Sequence, residues 1–348
     1  MSSAETPSAP APGRGFVRFL WTSNPLYVVS AGLFLYGLQT SFGDPTRDLD
    51  IAALAAGLGG YTLLLAAAAL FLVRYAGFWN DLRTVLLLVV LMFLATSVTF
   101  DELLVMNPNR GALLNAAGLV FAVAVSEAIL LGIRLRLPAG FRVPYYLALA
   151  LFFLYPVALA PHFSAPRSDA LLWGLWGFAP AAGLVFLTLL PAVRRGREYV
   201  RGNGSPWPWP FFPWSLFVFL AVAVGGRAFL MCWSLHQLDG PDGGDLVYAP
   251  FFLAPFAVAV AVVLLELGLV NGSKATQAAA LLVALGAVPL SGVGLAETPI
   301  AADFLGRYAA QLGATPMFVA LVASGALAAV AWARGAVLAV DALTVVLL

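Results

Sequence analysis

Apolar runs of about 20 residues, separated by short polar gaps, follow one another along almost the whole chain. A hydrocarbon core about 30 Å thick takes about 20 helical residues, because lipid cannot satisfy free backbone amides and a helix satisfies its own. Ten segments meet that length: 25–42, 52–74, 82–100, 111–133, 143–161, 170–190, 212–235, 250–270, 276–295 and 316–333. Several helices open with a capping side chain followed by proline at the first helical position, as at Asn24-Pro25, Thr315-Pro316 and, for a shorter element, Thr298-Pro299. The pattern predicts an all-α, polytopic transmembrane bundle of about ten spans, forming a single domain over 21–348.

The ends and two connections read differently. Residues 1–13, MSSAETPSAPAPG, are too poor in apolar surface to offset the entropy of ordering, so a disordered tail over about 1–20 is expected. The last 14 residues after Arg334, GAVLAVDALTVVLL, give about 21 Å of helix, too short to cross. They form either a half-buried tail or a truncated eleventh span, and the unanchored Val-Val-Leu-Leu ending favours truncation. The prolines interleaved with Trp207, Trp209, Phe211, Phe212 and Trp214 forbid one continuous helix and suit an aromatic belt at headgroup level. In IAADFLGRYAAQL, the residues Ile300, Phe304, Tyr308 and Leu312 form one stripe, which predicts an amphipathic helix lying on the membrane surface.

Composition agrees with the pattern. Hydrophobic residues make up 62% of the 348 and charged residues 10%, against about 45–50% and about 25% in soluble domains. A net charge of +1 without a clustered positive field argues against nucleic acid as a partner, leaving membrane lipids and, as an alternative, other membrane subunits. The single cysteine, Cys232, forms no internal disulfide.

Charge in the gaps orients the spans. Of the 18 Lys and Arg residues, 13 fall in or beside alternate gaps beginning with residues 1–24; only Arg47, Arg110, Arg167 and Arg307 lie in the others, where most acids collect. Basic residues stay on the cytoplasmic side, so the N-terminus is expected inside, in a bacterial cytoplasmic (inner) membrane.

Away from the outermost residues of each span, three ionisable residues stand within predicted spans: Glu127, Arg227 and Glu266. A charge at a lipid-facing helix centre costs about 2.5–3.5 kcal/mol, so such residues usually face the bundle interior and find partners. Arginine cannot escape by deprotonation. Depth along the helices brings Glu127 within reach of Arg227, about 9 Å away vertically, and Gly225-Gly226 would admit a neighbouring helix closely. Arg227 is therefore expected to pair with Glu127 as a structural tie, to line an anion-binding or proton-coupled cavity, or to snorkel to the interface. Glu266, near a span end, is expected to snorkel to the cytoplasmic headgroups.

The acid-rich face supplies a second set of candidates: Asp101 and Glu102 after the third span, His162 and His236 at the ends of the fifth and seventh, and Asp239, Asp242 and Asp245 in LDGPDGGDL. Oxygen-rich, glycine-flexible loops can hold calcium, but this spacing matches no calcium loop and reads as a solvated acidic surplus. Two histidines with unplaced carboxylates do not define a zinc site. The few residues of LLWGLWGF that resemble the Trp-rich outer segment of cytochrome c haem-handling proteins are not followed by an acid, so no cofactor is predicted. Nucleotide loops, nucleophile elbows and zinc-protease motifs are missing, which argues against ATP-driven transport and the commonest enzyme chemistries. The expectation is a permease-like protein that binds a small anionic or amphipathic molecule between the fourth, seventh and eighth spans. Its rivals are a membrane enzyme acting on a lipid-linked substrate at the outer face and a non-catalytic membrane subunit of a larger complex.

Overall fold

A computed structural model describes residues 25–42, 48–162, 169–236, 248–293 and 299–336. The predicted N-terminal tail, the C-terminal segment after residue 336 and the acidic loop carrying Asp239, Asp242 and Asp245 lie outside the described residues. Every described element is helical, with no strand among the described residues. In chain order the helices are α1 (Pro25–Phe42), α2 (Asp48–Phe71), α3 (Trp79–Met106), α4 (Pro108–Gly132), α5 (Ala139–Leu159) and α6 (Asp169–Leu187). They are followed by the short α7 (Leu190–Arg195), then α8 (Phe211–His236), α9 (Ala254–Val270), α10 (Lys274–Leu290), α11 (Pro299–Leu312) and α12 (Pro316–Ala333).

Among the described residues, eight helical stretches are long and apolar enough to cross a membrane: Asp50–Ala76, Asp81–Met106, Pro108–Gly132, Ala139–His162, Asp169–Arg195, Phe211–Ser234, Pro250–Val270 and Pro316–Ala333. The predicted segments 25–42 and 276–295 coincide with shorter apolar helices, Val29–Leu38 and Lys274–Leu290. Large apolar side chains stand exposed on these helices, with Leu113 and Val120 of α4 both 69% exposed and Val222 of α8 at 73%. An outward face of that kind is stable only against lipid or protein.

The chain divides into two compact units, Met1–Met92 and Phe93–Leu348, with the division inside α3. In the first, α1 and α2 pack through Ala31 and Leu58, both fully buried, and through stacked rings of Phe34 and Tyr61 with centroids 4.1 Å apart. A Cβ on Gly57 would stand 2.8 Å from Leu38 Cδ2, at the tip of a flexible side chain that fills the space beside this glycine.

In the second unit α9 is the hub, packed along α6 on one side and α10 on the other, with α12 against α10. Small residues make this possible: Ala261 of α9, Ala280 and Ala284 of α10, and Ala328 and Ala331 of α12 form one buried cluster. Lipid offers no hydrophobic drive between helices, so close approach through small side chains and interhelical hydrogen bonds does that work. Ser324 Oγ donates across to the Ala284 carbonyl at 2.6 Å. The α4–α5 pair and α8 complete the unit.

The Trp-Pro stretch is non-helical as expected until Phe211, and Phe212 itself keeps extended angles (φ −98°, ψ 131°), so regular helix begins at Pro213. Its aromatic rings turn partly onto protein: Trp214 meets Phe141 edge to face at 5.9 Å, and the Trp209 indole donates to Asn271 Oδ1 at 3.2 Å.

Candidate functional site

Arg227 sits in α8 and is 2% exposed. Its partner is Asp101 of α3, fully buried, and not Glu127 as the depth argument suggested. The fork is bidentate: Nη2 donates to Asp101 Oδ1 at 2.9 Å and Nη1 donates to Oδ2. Nη2 also donates to the Phe152 carbonyl of α5 at 3.0 Å.

That carbonyl is free for a reason written in the sequence. In a helix the N–H of residue 156 would bond the carbonyl of residue 152, but residue 156 is proline and has no N–H. The guanidinium takes the vacated acceptor and thereby ties α3, α5 and α8 together. Ser234 Oγ stands 3.3 Å from Asp101 Oδ2, yet its one proton has a better acceptor in the Leu230 carbonyl at 2.6 Å. Of the five donors on Arg227, the buried Nε finds no acceptor among the described residues.

Asp101 was expected at an outer, wet helix end. It lies instead five residues inside α3, which runs on to Met106. Glu102 beside it is half-buried and makes no hydrogen bond or ion pair among the described residues.

Glu127 of α4 belongs to a different site. Its Oε1 accepts from Arg142 Nε at 2.8 Å and from the Tyr146 hydroxyl, while Oε2 meets Arg142 Nη2. Arg142 and Tyr146 stand one turn apart on α5, and the guanidinium lies 5.9 Å from the Tyr146 ring centre. The pair is partly open, with side-chain exposures of 46% for Arg142 and 25% for Glu127. On the adjacent positions of the same two helices a buried relay follows: Ser126 Oγ donates to the Ala122 carbonyl at 2.7 Å, which leaves the Tyr145 hydroxyl to donate to Ser126 at 2.8 Å.

Glu266 of α9 does not snorkel. Its side chain is 6% exposed and is held between two arginines, Arg194 of α7 with Nε 2.9 Å from Oε1, and Arg334 just past α12 bonding both oxygens. The carboxylate thus pins three helix ends at one point. Arg142, Tyr146, Arg194, Arg334 and Pro156 were all missed as site residues by reading the sequence.

His162 ends a single 3-10 turn after α5 and is exposed. His236 is the last residue of α8. Among the described residues no group of three or more His, Cys, Asp or Glu side chains is placed to hold a metal ion.

The predicted amphipathic helix forms as α11, but its stripe meets protein rather than open membrane surface. Phe304 and Tyr308 are 1% and 3% exposed. Tyr308 stacks on Trp173 (5.8 Å, 13°) and meets Trp176 edge to face at 5.8 Å, and Phe304 stacks on Phe251 at 6.4 Å. Burial pushes the Tyr308 phenol above its ordinary pKa. Arg307, on the opposite edge of α11, bridges Asp169 at the start of α6 and Asp303 on its own helix. Beneath, the Nε1 donors of Trp173 and Trp176 are enclosed with no acceptor among the described residues. A buried donor left unmet costs about 1–3 kcal/mol.

Comparison with known proteins gives no match to any family model, curated protein or solved structure.

Proposed function

We propose that this chain is a ten-span protein of a bacterial cytoplasmic membrane, N-terminus inside, serving as a non-catalytic membrane subunit of a larger assembly. The observation that carries the reading is the enclosure of Arg227, whose guanidinium is occupied by both oxygens of Asp101 and the Phe152 carbonyl. An anion-binding permease needs that cation free to meet its ligand, and an enzyme needs an acid or base open to a substrate. Here the charge is neutralised by a carboxylate as buried as itself. Glu127 and Glu266 are likewise matched to arginines. Charges matched in this way hold helices in register and leave the outward apolar surface for lipids and partner subunits.

Extraction from native membranes in polymer discs followed by native mass spectrometry tests the reading. The expected result is this 36.6 kDa chain in a complex of fixed stoichiometry with at least one different protein. The same stoichiometry should survive in the charge-neutral double variant Asp101→Leu/Arg227→Met. Recovery of the chain alone, or only with copies of itself, would overturn it.

A further inference from the structure

We propose that α11 is a detachable lid, latched by Arg307, that alternates between the docked position seen here and a position in the adjoining headgroup layer. Three observations converge on it. First, α11 is the one described helix whose two faces differ sharply in chemistry, with Phe304 and Tyr308 buried on one side and Asp303 and Gly306 exposed on the other. Such a helix suits both a place against a bundle and a place in a membrane interface.

Second, it reaches its neighbours through long aromatic side chains and not by the close backbone approach that α9, α10 and α12 show through their alanines. Lifting it away separates rings and leaves no interlocked small-residue seam to break. Gly313, directly after its last residue, has a φ of +67°, a conformation glycine reaches without strain, so the chain turns sharply there into Pro316 and α12.

Third, the docked state leaves a defect. The indole N–H groups of Trp173 and Trp176 are sealed beneath Tyr308 without an acceptor among the described residues. Buried indoles normally find one, and in a membrane interface carbonyl and phosphate oxygens of headgroups supply it. Undocking therefore exchanges stacked rings for two indole hydrogen bonds, which lowers the cost of leaving the docked position. The ion link from Arg307 to Asp169 decides between them: it joins α11 to α6 at the rim, where side-chain exposures of 35% and 55% leave it open to competing water and salt.

Paired spin labels test the lid in lipid nanodiscs. Cys232 is replaced by alanine, and labels are attached at Gln311→Cys on α11 and Leu184→Cys on α6, both exposed positions. The distance distribution is expected to show a narrow docked population and a second, displaced one. Arg307→Gln should raise the ratio of displaced to docked by about threefold, the effect of losing an exposed ion pair, while Arg307→Lys holds it near the parent value. Trp176→Phe, which removes one unmet donor and keeps an aromatic ring, should lower the ratio by at least about fivefold. A helix that is merely structural gives one narrow distribution in every variant. That outcome, or a displaced population that grows with Trp176→Phe, overturns the proposal.

Discussion

A guanidinium carried into a bilayer has two requirements, a counter-charge and acceptors for its remaining donors, and Arg227 meets the second through a proline. Reading the sequence did not single out Pro156, because its consequence, a free Phe152 carbonyl four residues earlier, depends on which helix packs beside it. The prediction follows that Pro156→Ala, by restoring a competing N–H, returns little of the about 3 kcal/mol that removing a helical proline usually gains. Thermal unfolding in detergent checks it, and a rise of several degrees in Tm would contradict it. The carboxylates differ by exposure. Glu127→Gln breaks a pair open to its surroundings and should cost at most about 1 kcal/mol. Glu266→Gln weakens two arginine contacts in a site that is 6% exposed and should cost more in the same melt. Equal losses would show that burial is not what separates them.

At the scale of elements, helix identity was legible and helix ends were not. All ten apolar segments hold helices, because composition alone decides what can be satisfied in hydrocarbon. The third span was drawn to stop at residue 100, where Asp101-Glu102 begins, yet α3 continues through Leu103, Leu104, Val105 and Met106. Charge was read as an end signal when the charge was paired, and six residues of error hid the partner of Arg227. Arg142 disappeared the same way, assigned to a gap when it stands in the first turn of α5. Glycines mark where helices meet most closely. A Cβ added at Gly111 of α4 would lie 2.7 Å from the Leu104 backbone nitrogen, so Gly111→Ala must push the helix turn after Asn107 away from α3. A loss of about 1–3 kcal/mol is expected in denaturant titration, whereas Gly226→Ala, with open space around it, should be near neutral.

For the whole molecule, the asymmetry of basic residues fixes the proposed sidedness, and single-cysteine labelling in intact cells reads it directly. On a Cys232→Ala background, an impermeant maleimide should label Gln311→Cys and leave Arg201→Cys, in the arginine-rich gap before α8, unlabelled until the membrane is opened. The reverse pattern would invert the topology. The account depends most on the claim that Arg227 and Asp101 are a structural tie, each tolerable in the interior only because of the other. The double-mutant cycle measures this in one series of unfolding titrations in a fixed lipid–detergent mixture. Arg227→Met alone should lose about 3–5 kcal/mol by stranding a buried carboxylate, and Asp101→Leu/Arg227→Met should recover to within about 1 kcal/mol of the parent. A single variant as stable as the parent, or a double variant no better than the single, would contradict it.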